Sequence, residues 1–263
     1  MSPNSSDSDI KKLENEIAEL RIQVKQLKSY LESNNQFLDF SQLGEQQVLI
    51  NIIERIAAQK NIPPFYLDIG GFHPIIGSNT FKLHQLGWRG IVVEPNQEKL
   101  MGWEQTRPND VTICAAVIPD SWDVKTVSMA CSNNFDARES VVSSLNNNNR
   151  QNSAAKTNNY DASTIKFKDL MAYANDKQLF PTLLNLDIEG LEEEITLSSD
   201  LGRYKIPLLC IEHFLNEFTN EQSLLAYSES KLVNALEASG YYLVSVCGVS
   251  LVFCHRDYWI SYS

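Results

Sequence analysis

The chain has 263 residues, 43% of them apolar, which is enough for one substantial hydrophobic core and too apolar for a disordered polymer. Its formal net charge of -11 argues against nucleic acid and anionic membrane as the main partners, because phosphate surfaces are gripped through clustered Lys and Arg. Five cysteines, at 114, 131, 210, 247 and 254, form no CxxC pair and leave one over, a pattern of reduced thiols and not of a disulfide framework.

The chain opens on Ser5, Ser6, Asp7, Ser8 and Asp9, where a signal peptide would be basic and then apolar. No apolar run approaches the roughly 18 residues of a membrane-spanning helix, so the expected location is cytoplasmic. Apolar residues then recur at Ile10, Leu13, Ile17, Leu20, Val24, Leu27 and Leu31, the 3,4 alternation of a coiled-coil seam. β-Branched side chains take most a positions and Leu takes d, which favours a parallel homodimer through residues 10–33, with Glu16 facing Arg21 of the partner helix. The competing reading is one amphipathic helix packed on its own domain. Residues 1–36 are thus a tail and coiled-coil helix, and residues 37–263 form the main domain.

From residue 40 to 60 the apolar positions Val48, Leu49, Ile52, Ile53 and Ile56 share one helical face. Pro63 and Pro64 end that helix. Short apolar runs then alternate with amphipathic stretches, the pattern of an α/β domain with a doubly wound, mostly parallel sheet. Strands are expected at 65–69, 90–94, 111–117, 182–187 and 208–212, with helices near 79–87, 96–106, 167–178, 190–199 and 220–239. A C-terminal antiparallel hairpin at 241–246 and 250–254 closes the sheet. Residues 119–163, rich in Asn and Ser, lack a sustained period and read as an irregular insertion, a lid that orders on ligand binding.

Ligands of such a sheet bind at the carboxyl ends of its strands, where strand order reverses. The first strand ends in Asp68, Ile69, Gly70 and Gly71, and the second in Glu94, Pro95 and Asn96. Glycines let a ligand approach the backbone, and an acid at the end of the second strand can accept hydrogen bonds from ribose hydroxyls. The dinucleotide fingerprint GxGxxG is absent, since Gly71, Phe72, His73, Pro74, Ile75 and Ile76 follow Gly70. Asp68 at the loop mouth would repel a pyrophosphate and attract an amino group or a sulfonium, which favours S-adenosylmethionine over NAD.

The run YLDIGGFHPIIGSNTFKLHQLGWRGIVVEPN at 66–96, with SQLGEQ at 41–46 and LLNLDIEGLEEEI at 183–195, resembles the FkbM family of S-adenosylmethionine-dependent methyltransferases. The resemblance covers roughly 41–254 apart from the Asn-rich stretch. It implies a Rossmann-like class I methyltransferase fold and O-methylation of sugar, glycan or natural-product hydroxyls. Carried over by position, it puts Asp68, Gly70 and Gly71 near the methionine part of the cofactor, Ser78 and Asn79 at the following helix start, and Glu94, assisted by Asn96, on the ribose. Ala115 and Ala116, with Asp187 nearby, leave room for the adenine and the reacting end.

Asp187, Glu189, Glu212 and His213 converge at the same sheet edge. His213 is the first choice for the base that takes the hydroxyl proton, with Asp187 and Glu189 orienting substrate. A second way to activate the oxygen is Mg²⁺ or Mn²⁺ held by Asp187, Glu212 and His213. Glu192, Glu193 and Glu194 read as the solvated first turn of a helix. His73 borders the cofactor loop, whereas His84 and His255 read as structural. Two other classes stand beside this one: a catalytically inactive scaffold that assembles through its coiled coil, and an NAD-dependent oxidoreductase, which the loop chemistry disfavours.

Overall fold

The computed structural model describes residues 38–132, 140–141, 157–214, 227 and 229–259. The heptad segment 10–33 and the run of asparagines at 146–149 lie outside them. In chain order the described elements are α1 Glu45–Gln59, β1 Phe65–Ile69, α2 Phe81–Gln85, β2 Arg89–Val93, α3 Gln97–Thr106, β3 Val111–Ile113 and β4 Ala116–Ile118. They continue with β5 Thr126–Ser132, β6 Ser140–Val141, β7 Thr157–Lys166, α4 Phe167–Asp176, β8 Leu183–Leu186, α5 Glu192–Ser198, β9 Leu208–Glu212, α6 Lys231–Ala238, β10 Tyr241–Cys247 and β11 Ser250–His255.

Among the described residues, seven strands form one sheet in the order β10-β11-β9-β8-β1-β2-β3. β3, β2, β1, β8 and β9 are parallel, whereas β11 pairs antiparallel with both β9 and β10. The chain winds outward from β1 to β3 and returns to lay β8 on the other side of β1. The gap between β1 and β8 is therefore the switch point at which a ligand crevice opens. A doubly wound, mostly parallel sheet is what the alternating apolar runs require.

The strand period of two divides the core. Leu67, Ile69, Ile91, Val93, Leu184, Leu186, Leu209 and Ile211 join Phe167, Leu170, Ile195 and Leu232 of α4, α5 and α6 on one face. Tyr66, Leu183, Leu208, Cys210, Val252 and Cys254 face the other way, onto Leu49, Ile53 and Ile56 of α1 and Leu83 of α2. The spacing of those three α1 residues, four and three apart, sets one stripe of the helix against the sheet. Val92 on this second face packs under Leu100 and Trp103 of α3. Cys114, Cys210, Cys247 and Cys254 are not in disulfides. Among the described residues, no helix is long and apolar enough to cross a membrane.

Two expectations are corrected. The run 111–117 is not one strand: it breaks at Cys114 and Ala115, with β3 in the large sheet and β4 in a second one. That second sheet, in the order β4-β7-β5-β6, occupies much of the segment expected to be irregular. β5 and β7 pair antiparallel from Thr126↔Ser163 to Ser132↔Thr157. Val127, Met129 and Ala162 bury with Ala116 and Ile118, and Trp122 and Tyr160 pack against them. With one small apolar face and Ser, Thr, Asn or Asp on the other, such a ribbon reads as loop by composition.

Candidate active site

A cavity of about 440 Å³ lies at the carboxyl ends of β1, β2 and β8, a size within the range of small-molecule pockets. Ile69 and Gly70 of β1 and its loop, Glu94 beyond β2, Ala115 and Ala116 at the start of β4, and Asp187 and Glu189 beyond β8 all line it. Six of the expected site residues, Gly70, Glu94, Ala115, Ala116, Asp187 and Glu189, are thereby brought around one space. Ser41 and Gln42 before α1, Lys99 of α3 and Met129 of β5 also reach it.

Gly70 is required by both backbone and space. Its φ is +88°, and a Cβ there would stand 1.6 Å from the Asp187 carbonyl oxygen. Its N–H donates to Val93 O at 2.9 Å, so β1 and β2 stay paired to the edge of the cavity. Glu94 is buried, and its Oε1 accepts the Asn96 N–H at 2.9 Å. Asn96 supports Glu94 through its backbone, because its side chain caps α3 by accepting the Glu98 N–H at 2.9 Å.

Asp68, Gly71, Ser78 and Asn79 do not line the cavity. Asp68 shares the face of Tyr66, so its side chain points under α2 and not toward the loop mouth. Its carboxylate accepts the Thr80 hydroxyl and, at 2.9 Å, Asn185 Nδ2, and burial pushes its pKa up. Asn79 donates to Asn185 Oδ1 at 2.9 Å. Gly71 instead makes room: a Cβ would meet Val92 at 2.5 Å and the Trp103 ring at 3.0 Å, while its carbonyl accepts the Trp103 indole N–H at 2.6 Å.

The residue at the centre of this network is Arg107, wholly buried just beyond α3. All five of its N–H donors are used. Nε and Nη2 bind the Pro74 carbonyl, Nη2 also binds Ser78 Oγ at 2.8 Å, and Nη1 binds Thr80 Oγ1 at 2.8 Å and Tyr66 Oη at 3.2 Å. The guanidinium lies over the Trp103 ring, 4.1 Å from its centre. The Thr80 hydroxyl donates a hydrogen bond to Asp68 and the Tyr66 hydroxyl donates one to Asp110, so one cation is linked through hydroxyls to two buried carboxylates. His73 adds to the same loop, its Nδ1 accepting the N–H groups of Ile75 and Ile76 at 3.0 Å. Nothing in the run TRPND, which has the composition of a surface turn, signals this role.

Beyond β8 and β9, Asp187, Glu189 and Glu212 each present an oxygen within 4.8 Å of the others. Burial, with Asp187 and Glu189 beside it, pushes the Glu212 carboxyl up to about 10, so this group keeps a proton that its neighbours share in effect. The set of metal-ligand type therefore contains Glu189 in place of the expected His213. His213 is not among the cavity-lining residues. Its Nε2 lies 3.8 Å from Glu193, its N–H donates to Val249 O at 2.8 Å, and burial lowers its pKa. Glu189 adopts φ +61°, a conformation costing a non-glycine residue about 1–2 kcal/mol. Glu192 is not solvated: it is buried, accepts the N–H groups of Ile188 at 2.7 Å and Gly190 at 2.9 Å, and is pushed up to about 7, first by burial.

The model of one family, described as Methyltransferase FkbM domain, matches residues 68–242, more than half of the chain. No curated protein and no solved structure matches.

Two predictions follow from the buried charges. Arg107→Met leaves Asp68 and Asp110 without their cation and should cost about 3–5 kcal/mol in urea unfolding, with Arg107→Lys recovering only part, since one ammonium cannot reach Pro74, Ser78, Thr80 and Tyr66 together. Glu212 binds its proton more tightly in the folded protein than in the unfolded chain, so its contribution to stability is lost as pH rises from about 4.5 to about 10. Glu212→Gln should therefore raise Tm more at pH 9 than at pH 5, and an equal change at both would show that the group titrates normally.

Proposed function

The chain belongs to the FkbM methyltransferase family, and from that premise we propose that it is an S-adenosylmethionine-dependent O-methyltransferase acting on a hydroxyl of a sugar, glycan or related natural product. The observation that carries this reading is the joint placement of Glu94, the Gly70 turn, the Ala115–Ala116 edge and the Asp187–Glu189 carboxylates around one cavity at the switch point. Glu94 is suited to the ribose hydroxyls, and the small side chains at 115 and 116 to the flat adenine. The cavity carries acids and apolar side chains with Lys99 at its margin, an environment that suits a sulfonium better than a pyrophosphate. S-Adenosylmethionine supplies an electrophilic methyl group on that sulfonium.

The residues of the chain then bind, orient and take up a proton. Transfer would break the S–CH3 bond of the bound cofactor and release S-adenosylhomocysteine; Asp187 and Glu189 would hold the acceptor hydroxyl, and one of these carboxylates would take up its proton. Glu212, which does not line the cavity, already holds a proton in this reading and donates a hydrogen bond to Asp187 behind the site. The base thus moves from His213, which faces Glu193, to the carboxylate group. A second reading has Mg²⁺ or Mn²⁺ on Asp187, Glu189 and Glu212, favoured by the mutual approach of their oxygens. Proton sharing accounts for the same approach without an ion, and transfer that survives EDTA is the outcome expected. The heptads at 10–33 further support a parallel homodimer, and sedimentation of the full chain against one starting at Asn35 should show a dimer and a monomer.

Isothermal titration with S-adenosylmethionine tests the core of the proposal. The full chain should bind it, and Glu94→Ala should weaken binding by about 10-fold or more through the lost ribose bonds. Radiolabelled methyl transfer to a panel of methyl glycosides then tests the acceptor class. An absence of heat at millimolar cofactor would end the S-adenosylmethionine reading, and binding without transfer to any glycoside would sink the acceptor class and leave the inactive scaffold as the competing reading.

A further inference from the structure

Asp187 and Glu189 are separated by one residue and followed by Gly190, so their placement depends on a single tight turn. Glu189 has φ +61° and Gly190 φ +124°, so two consecutive residues lie outside ordinary strand or helix geometry. The strand pairing of β8 ends at Leu186, and one further ladder bond, from the Asp187 N–H to Ile69 O at 3.0 Å, ties the first residue of the turn to β1 but leaves 188–190 beyond it. What holds it is the Glu192 carboxylate, which accepts one N–H with each oxygen, from Ile188 and from Gly190. Those two amides flank Glu189. Glu192 as a whole is 4% exposed, and three residues further along α5 Ile195 is anchored in the main core.

We propose that Glu192 is a positioning residue for methyl transfer: it clasps the 187–190 turn from below and thereby aims the Glu189 carboxylate into the acceptor side of the cavity. The inference rests on the methyltransferase reading above and adds to it a residue that touches neither cofactor nor acceptor. The bond pattern separates this role from ordinary helix capping. A capping carboxylate satisfies the first amides of its own helix. The Glu192 carboxylate meets its own amide at the start of α5 and, in addition, reaches two and four residues back, to amides that belong to the turn. Neighbouring Glu193 and Glu194 do not share the role, since Glu193 lies toward His213 and Glu194 accepts the Trp122 indole N–H at 2.7 Å.

Glu192→Gln is the informative change, because the amide keeps the size of the side chain yet can accept only one of the two N–H groups and turns a donor toward the other. Glu192→Ala removes both acceptors. In the full chain, amide hydrogen exchange at 188 and 190 should be slow in the native protein, faster in the Gln variant and fastest in the Ala variant. S-Adenosylmethionine affinity by calorimetry should change by less than about 3-fold, while single-turnover transfer to the best methyl glycoside of the panel falls by about 10- to 100-fold, the cost of misplacing a reacting group. Unchanged exchange at 188 and 190 in Glu192→Gln would overturn the clasp, and faster exchange with undiminished transfer would overturn its catalytic relevance. A native protein that methylates none of the glycosides would instead sink the acceptor class, and the exchange rates would still decide the clasp.

Discussion

A positive charge sealed inside a protein must find partners for every donor it carries, and Arg107 meets that demand by organising the residues around it. Its partners come from β1, from the loop after β1 and from the start of α2, and its flat face rests on Trp103 of α3. The loop cannot relax without exposing a guanidinium to an apolar interior. Gly71 is held at the other end by the Trp103 indole. The segment from 70 to 80 is thereby a fixed wall, and Gly70, Phe72, Ile76 and Gly77 line the cavity from it.

The two faces of the sheet divide the work. On the face of α4, α5 and α6 the interior is mainly apolar, with Glu192 and Thr196 of α5 also buried there. On the face of α1, α2 and α3 the apolar layer gives way toward the strand ends to Asp68, Asn185, Asn79, Thr80 and Arg107, all hydrogen-bonded to one another. Acids at the carboxyl end of this sheet therefore have separate duties. Asp68 is tied into the support, Glu94 faces the cavity from beyond β2, and Asp187, Glu189 and Glu212 crowd closely enough that a proton must be kept among them.

Much of the fold was legible because the apolar period changes where the chain changes element. Tyr66 to Ile69, Ile91 to Val93, Leu183 to Leu186 and Leu208 to Ile211 are continuous apolar or near-apolar runs, as strands covered on both faces must be. The β5–β7 ribbon was hidden for the opposite reason. With one face small and the other polar, it offers no run, and pairing between residues 25 to 37 positions apart leaves no local mark. In the site, Gly70, Glu94, Asp187 and Glu189 could be placed because each stands at or just past a strand end, whereas Ala115 was expected inside a strand at 111–117 and stands where that run breaks.

What the sequence by itself determined was the order of elements, the sheet edge that carries the chemistry, and the residues that stand at that edge. Those follow from local propensity and from the rule that parallel strands point their carboxyl ends the same way. Only the tertiary structure decided which side of an edge each side chain takes. Asp68 turned inward and Glu94 remained at the cavity, though both close a strand with an acid. Glu192 and Arg107 gained their roles from partners on other segments, or from a turn folded back over its own helix, and a charged residue in a polar stretch looks the same whether water or a backbone amide receives it. Burial is a property of the packed whole, and it turned these two charges from surface features into the supports of the site.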